Sequence, residues 1–447
     1  MSMHRLVEGL SRRGRVAATT CGSAGAVDGI LEKVFQETVQ CKQAPPAVYL
    51  GIDPTSDGLH VGHLVGVLAL KQFQQKGWKP IAVVGGATGL IGDPSGRDTE
   101  RQLLDESAVR SNIMGLQKDL ARVLDFQQPS SGAGPQAILE NNLDWFQNMS
   151  ALDLLRDVGK HFRIATMLGR ESVKSRLGRG DEGMSFTEFS YQLLQGYDFL
   201  HLYRKHNCRV QIGGSDQWGN IVSGVDLIRR VESKTDALGL TVPLLTTKSG
   251  QKLGKSSGNA VWLNPEKTSD YLFYQYFIRT EDSDVEDLLL KLTDLDEAEI
   301  VQVMSDHRAE PFKRGAQKVL AREVMTLIRG KERLSSAITA SQVLFGGSLG
   351  EVDSTTLIEL ARDSEMPSSV LNLDSVVNQP LVDLAYSASV CKSRNEAKRL
   401  VASRGLYINN RRVESVDEVF DIDKHAIDGK VVLVRSGKRN YVLVVLE

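Results

Sequence analysis

This chain has little cysteine and no apolar run long enough to cross a bilayer. Its four cysteines, Cys21, Cys41, Cys208 and Cys391, lie far apart with no C-x-x-C pair. That spacing suggests neither a disulfide framework nor a structural zinc site, and it implies a reducing compartment. A membrane-spanning helix needs about 20 consecutive apolar residues; none occurs, so no membrane partner is expected. A dominant charge sign is missing too: the 447 residues carry a net charge of −2. With 41% hydrophobic and 25% charged residues, the composition is that of a globular protein of several domains.

The small net charge hides an uneven distribution. Residues 1–27 hold four arginines against one glutamate, and residues 380–447 hold 12 Lys and Arg against 9 Asp and Glu. An acidic body thus lies between two basic ends, and local patches indicate partners better than the total does. The N-terminal stretch contains Arg5, Arg12, Arg13 and Arg15, with Glu8 its only acid. Arg-rich, acid-poor and able to form an amphipathic helix, residues 1–27 fit a mitochondrial presequence and point to the mitochondrial matrix. An ordinary basic tail on a cytoplasmic protein is the alternative.

From residue 28 the pattern predicts one amphipathic helix, then alternating strands and helices. A strand at Val48–Ile52, a helix from about Leu59 to Lys76 stopped by Gly77, and a strand at Ile81–Val84 make a parallel βαβ unit. Further strands are expected at Arg209–Ile212 and Val242–Thr246. The expected fold class is α/β: a doubly wound, Rossmann-like parallel sheet over residues 28–264, with ligands at the carboxyl ends of its strands. Strand signals vanish over residues 265–345, which read as an α-helical domain. Residues 346–379, rich in Gly, Ser and Asp, read as a linker, and residues 380–447 as a small α+β domain.

Several segments carry chemistry. Tyr49 to His63 reads Y-L-G-I-D-P-T-S-D-G-L-H-V-G-H. His60 and His63, three apart at a helix start, would share one face, where their ring N–H groups and the first-turn amides converge on a polyphosphate. No Cys or carboxylate nearby is spaced to complete a zinc site, so no protein-ligated metal is expected. The glycine-rich segment Gly85–Gly96 lets a ligand approach the backbone, offers Asp93 to an ammonium group, and is followed by Arg97 and Arg101 as phosphate clamps.

Ser185-Phe186-Thr187-Glu188 fits a capping box opening a helix to about His206. Tyr191, Gln195 and Asp198 lie on one stripe of that helix among apolar neighbours, so a polar ligand is their natural occupant. Gln211 to Gln217 closes a strand with bare backbone at Gly213 and Gly214, and Asp216 suits a ribose. The segment from Lys248 to Asn259 is a near miss for a P-loop, better read as a lysine loop over a triphosphate with Lys252 and Lys255. Between Lys392 and Arg412, seven basic residues (Lys392, Arg394, Lys398, Arg399, Arg404, Arg411 and Arg412) face one acid, Glu396. That is the footprint of phosphate-backbone binding.

In combination these motifs closely resemble the bacterial-type tyrosyl-tRNA synthetases, and the basic N-terminus resembles a mitochondrial form. The resemblance runs from about Asp28 to the end: the H-V-G-H signature, the Gly85–Gly96 loop, Ser190 to Asp198, Gly213–Trp218, and Lys252-Leu253-Gly254-Lys255-Ser256 in place of K-M-S-K-S. It implies activation of L-tyrosine with ATP, accompanied by Mg²⁺, and transfer of the tyrosyl group to tRNA(Tyr). It also implies a homodimer and a C-terminal RNA-binding module. By resemblance Tyr49 and Asp198 hold the phenol, while Asp93, Tyr191 and Gln195 hold the ammonium group with Gln211 nearby. Asp53, Thr55, Gly214, Asp216 and Gln217 attend the nucleotide ribose and the reacting carboxylate. His60, His63, Lys252, Lys255 and Ser256, with Arg97 and Arg101, face the phosphates. The sequence departs mildly from the family pattern: Leu253-Gly254 for Met-Ser, Gly196 for alanine, and Leu50 for cysteine. A tryptophanyl-tRNA synthetase is the runner-up, disfavoured by the Tyr49/Asp198 pair. A catalytically silent RNA-binding paralogue is the other reading.

Overall fold

The computed structural model describes residues 5–42, 44–96, 104–127, 134–177, 183–248, 250, 253, 255–256, 259–344, 352–363, 366–437 and 440–447. The chain divides into two units: residues 1–264 with 281–311, and residues 265–280 with 312–447.

The first unit is built on a six-stranded sheet. Its strands are β1 (Ala18–Thr19), β2 (Ala47–Ile52), β3 (Lys79–Val84), β4 (Ile138–Asn141), β5 (Cys208–Gly214) and β6 (Leu238–Val242). The order is β1-β6-β5-β2-β3-β4, parallel except for β1, which runs antiparallel to β6. The central strands β2, β3 and β5 are almost wholly buried, as expected where helices cover both faces of a parallel sheet. The strand order reverses beside β2, and the cavity described below lies at the carboxyl ends of β2 and β5.

The first helices along the chain are α1 (Leu6–Arg12), α2 (Ala24–Gln40), α3 (Leu64–Gln75), α4 (Thr88–Ile91) and α5 (Glu106–Leu120). Helix α3 starts later than the sequence suggests, because Val61–His63 forms a 3-10 turn first. It ends where Gly77 takes φ 90°, a left-handed stop. The strand expected at Val242–Thr246 lies earlier, at Leu238–Val242, where pairing of Val242 with Gly214 fixes its end.

The stretch read as a presequence, residues 1–27, is folded into the first unit from Leu6 onward. Leu6, Val7 and Leu10 of α1 are buried, and β1 completes the sheet by pairing Ala18 with Thr241 and Thr19 with Leu240. Arg15 is 0% exposed and donates to the carbonyls of Lys291 (3.0 Å) and Thr293 (2.6 Å). Amphipathic Arg-rich helices suit both import and packing onto carbonyl-rich helix ends, and here the packing role is filled.

The segment 265–345 does not form one helical domain. Val285–Leu292 and Glu297–Ala309 belong to the first unit, while Asp270–Ile278, Gly315–Arg329 and Lys331–Leu344 belong to the second. The stretch read as a linker also folds. Ser354–Asp363 is a helix with buried Leu357 and Leu360, and β9 (Ser368–Leu371) pairs in parallel with the last strand of the chain. A hairpin of β7 (Lys255–Ser256) and β8 (Asn259–Ala260) sits in the first unit. In the second unit, β10 (Leu406–Ile408), β11 (Arg411–Arg412), β12 (Val431–Ser436) and β13 (Asn440–Leu446) join β9 in a five-stranded sheet. The Leu381–Ser387 and Arg394–Ala402 helices pack their buried Leu384, Ala385, Ala397 and Val401 into the same core as Val432, Val434 and Val444. Among the described residues no helix is long and apolar enough to cross a membrane.

Candidate active site

A cavity of about 350 Å³ opens at the carboxyl ends of β2 and β5. Tyr49, Asp53, Thr55, His60, His63, Asp93, Tyr191, Gln195, Asp198, Gln211, Gly214, Asp216 and Gln217 all line it. These residues come from segments up to 168 positions apart in the chain, and the parallel sheet brings them together. Arg97, Arg101 and Lys252 lie outside the described residues. Of Lys255 and Ser256 only the backbone is described, as β7.

The deep end is set by Tyr49 on β2 and Asp198 on the Phe186–His206 helix. Ser185 caps that helix by accepting from the Glu188 amide at 3.2 Å. The capping box is only half made, because Glu188 turns instead to Arg176, a buried pair at 2.8 Å. Asp198 accepts from Trp145 Nε1 at 2.9 Å and from Asn142 Nδ2 at 3.2 Å. Burial nonetheless pushes its carboxyl up to about 7, with Asp53 adding a smaller rise. Burial also lifts the phenols of Tyr49 and Tyr191 well above their usual value, so both keep their protons.

A relay of hydrogen bonds joins the two ends of the cavity. Asn142 Nδ2 donates to Thr88 Oγ1 (3.0 Å), Thr88 donates to Asp53 Oδ1 (2.8 Å), and Tyr191 donates to Asp53 Oδ2 (2.8 Å). The sequence reading missed Thr88, Asn142 and Trp145. Asn142 follows β4 directly, so recognising that strand would have placed both Asn142 and Trp145 at the ligand edge of the sheet. Gly85 is needed for this relay: a Cβ there would lie 2.1 Å from Asp53 Oδ1 and 2.4 Å from Thr88 Oγ1. At Gly85 the bare backbone therefore makes room for the Asp53 and Thr88 side chains at the edge of the cavity.

Asp93 is 4% exposed and receives Gln217 Nε2 at 2.6 Å and the Ser95 amide at 3.0 Å. Gln217, expected at the ribose, thus binds Asp93. The histidines also differ from expectation. His60 Nδ1 accepts from the Gly62 amide (3.0 Å), and His63 Nδ1 accepts from the His60 amide (3.2 Å). First-turn amides expected to meet the ligand are thus occupied by the rings. With Nδ1 an acceptor, each neutral ring carries its proton on Nε2. The rings stand 4.0 Å apart, and Gly62 has no room for a Cβ beside His60 (2.8 Å to Cε1).

Among the described residues, three buried polar atoms of the cavity have no hydrogen-bond partner: Tyr49 Oη, Gln195 Oε1 and Gln211 Oε1. Leaving such atoms unmet is costly, so the arrangement suits a ligand with a hydroxyl at one end and a cationic donor further along. Among the described residues no three candidate metal ligands converge.

A family model described as class I tRNA synthetases (W and Y) matches residues 41–346, and one for the C-terminal domain of tyrosine–tRNA ligases matches residues 358–444. The tyrosine–tRNA ligase of Protochlamydia amoebophila is 46% identical over 420 residues, covering 93% of this chain and 96% of that protein. That of Salmonella arizonae is 44% identical over 444 residues, covering 99% and 98%. The solved structure of a C-terminally truncated mitochondrial tyrosyl-tRNA synthetase from Aspergillus nidulans matches with a TM-score of 0.65 at 34% identity, covering 76% of this chain and 94% of that one. The first model spans tryptophan and tyrosine enzymes alike, whereas the second and the full-length relatives favour tyrosine. The chain therefore belongs to the tyrosyl-tRNA synthetases, of class I and bacterial type.

Proposed function

We propose that this one cavity binds L-tyrosine and ATP, forms tyrosyl-adenylate with release of pyrophosphate, and then esterifies the 3′-terminal ribose of tRNA(Tyr). Its three buried, unpartnered polar atoms carry this reading. The substrate phenol fits between Tyr49 and Asp198, accepting from one and donating to the other. Its ammonium group is met by Asp93, Tyr191 and Gln195, with Gln211 behind. Asp53, Thr55, Gly214, Asp216 and Gln217 attend the ribose and the reacting carboxylate. A tyrosine carboxylate oxygen attacks the α-phosphorus as the bond to the β-phosphate oxygen breaks. His60 and His63 offer Nε2–H to the charge building on the departing diphosphate, joined by Lys252, Lys255, Ser256, Arg97 and Arg101. A ribose hydroxyl then attacks the acyl carbon and AMP leaves. No protein nucleophile is required. Positioning and electrostatics supply the catalysis, with Mg²⁺ accompanying the nucleotide.

Tyrosine-dependent exchange between ATP and pyrophosphate tests the reading. Exchange driven by tyrosine and not by tryptophan is expected; none at all would leave the silent RNA-binding paralogue. Asp198→Asn should cut the preference for tyrosine over phenylalanine while leaving ATP binding intact.

Homodimer formation is supported by large apolar side chains exposed within one stretch of chain: Leu152 (76%), Leu155 (57%), Ile164 (66%) and Phe186 (77%). Light scattering of the full chain beside a Phe186→Glu, Ile164→Glu variant tests it, a monomeric wild type refuting the assembly. Binding of tRNA by the C-terminal unit is supported by Lys392, Arg394, Lys398, Arg399, Arg404, Arg411 and Arg412, all exposed. A mitochondrial location is supported by the basic N-terminus and by the likeness to a mitochondrial structure. Import would have to leave residues from Leu6 onward in place, since they form part of the folded unit. Imaging a fusion of residues 1–40, with N-terminal sequencing of the mature protein, checks both points.

A further inference from the structure

One face of α5 grips the turn that leads into the two histidines. Asn112, Gly115 and Asp119 are spaced i, i+3 and i+7, a single stripe on a helix. Each meets a different point of the turn from Pro54 to Leu59. Asn112 Nδ2 donates to the Pro54 carbonyl at 2.8 Å. A Cβ on Gly115 would sit 2.1 Å from the Asp57 carbonyl oxygen, so the helix backbone lies flat on the turn. The Leu59 amide donates to Asp119 Oδ2 at 2.8 Å, and Asp119 is 1% exposed. Arg122 Nε donates to the other carboxylate oxygen at 3.1 Å. A Cβ at Gly58 would fall 2.9 Å from Asp119 Oδ2, so this close approach also needs a glycine in the turn.

Just beyond, the same segment is tied to the residues that follow β8. Leu263 N donates to Leu59 O at 2.8 Å, and Val61 N donates to Val261 O at 2.9 Å. The turn is therefore held on two sides immediately before His60. A buried carboxylate is costly unless it is paired and hydrogen-bonded, and the Leu59 amide and Arg122 meet both oxygens of Asp119. What Asp119 fixes is the backbone one residue ahead of His60, whose ring accepts from the Gly62 amide and whose own amide donates to the His63 ring.

We propose that Asn112 and Asp119 are positioning residues for adenylate formation. They hold the Pro54–Leu59 turn so that the Nε2 atoms of His60 and His63 meet the phosphates. The proposal rests on the phosphate role given to those histidines above. Tyrosine recognition comes from other elements, β2 and the Phe186–His206 helix, and is independent of the stripe.

The test uses the full chain with Asn112→Ala, Asp119→Ala and Asp119→Asn. ATP–pyrophosphate exchange is normalised to active sites titrated by single-turnover adenylate formation, and the tyrosine Kd is measured by equilibrium dialysis. In both alanine variants kcat per active site should fall by about 10- to 100-fold, with the tyrosine Kd within about twofold of wild type. Asp119→Asn keeps an acceptor oxygen for the Leu59 amide and should recover part of the loss. A purely structural role would lower the melting temperature and the fraction of active sites, leaving kcat per active site unchanged. That result would overturn the proposal, as would a rise in tyrosine Kd matching the fall in kcat. Should Asp119→Ala fail to fold, Asn112→Ala decides, since it unpairs no buried charge. A wild-type chain without exchange refutes the histidine reading itself.

Discussion

Trp145 donates its indole Nε1–H to Oδ1 of Asp198 at 2.9 Å, fixing the carboxylate against which a substrate phenol would rest. Its ring is stacked on His201 with centroids 4.4 Å apart, which holds the donor in place. Trp145→Phe keeps most of the apolar bulk and removes the donor. Losing one hydrogen bond to a charged acceptor should weaken tyrosine binding by about 1–2 kcal/mol, roughly tenfold. The KM for ATP should not move. Separate tyrosine and ATP titrations of the exchange reaction check this, and an equal rise in both KM values would contradict it.

The elevated pKa of Asp198 gives a signed pH dependence. Its folded value, about 7, lies above the ordinary 3.8 because the group is buried. Between these values the folded chain holds a proton that the unfolded chain has released. This contribution therefore stabilises the fold at low pH and is lost as pH rises from about 4 through about 7. Tyrosine affinity should run the other way, since an ionised carboxylate is the stronger acceptor for the phenol. Calorimetric tyrosine titrations between pH 5.5 and 8.5 should show tightening up to about 7 and a plateau beyond. Asp198→Asn should flatten both trends, and persistence of either in that variant would assign it to another group.

Parts of the fold written in local signals were legible in the sequence. The Phe186–His206 helix is announced by its Ser185 cap and its stripe of Tyr191, Gln195 and Asp198. Strands β2 and β3 are short apolar runs bounded by turn residues. Features set by distant partners were not legible. Strand β4 is four residues, Ile-Leu-Glu-Asn, none fully buried, and it exists because Ile138 to Asn141 pair with Ile81 to Val84. Missing it hid Asn142 and Trp145. Nothing local in the sequence says that Nδ1 of each histidine turns back onto the backbone. Glu188 looked like half of a capping box, yet Arg176, twelve residues away, claims it.

The N-terminal arm is expected to be structural. Arg15 stays charged, although burial lowers its pKa to about 10. It donates to carbonyls at the C-terminal end of the Val285–Leu292 helix, the negative end of the helix dipole. Arg15→Ala strands these carbonyls and should cost about 2–4 kcal/mol of stability. Adenylate formation per active site should be unchanged, since Arg15 does not line the cavity. Deleting residues 1–27 should cost more, because β1 leaves the sheet along with the buried face of α1. Thermal melts of the two proteins check this, and a deletion that melts like wild type would contradict the structural role and favour a removable leader.

The basic residues of the C-terminal unit should not contribute equally to tRNA binding. Arg394 is paired with Asp383 at 2.7 Å and Arg412 with Glu414 at 2.9 Å, so each must give up a carboxylate to reach a phosphate. Lys398 and Arg399 stand exposed on the Arg394–Ala402 helix, four and five residues along from Arg394. Lys398→Glu with Arg399→Glu should therefore weaken tRNA charging more than Arg394→Glu with Arg412→Glu. Both pairs should leave tyrosine-dependent exchange at the wild-type rate. For every cation that no longer reaches a phosphate, the slope of log affinity against log salt should shrink by about one. Filter binding of tRNA across a salt series, beside aminoacylation and exchange assays, reads all three quantities. Equal effects of the two pairs would mean that the carboxylate partners do not compete with the RNA.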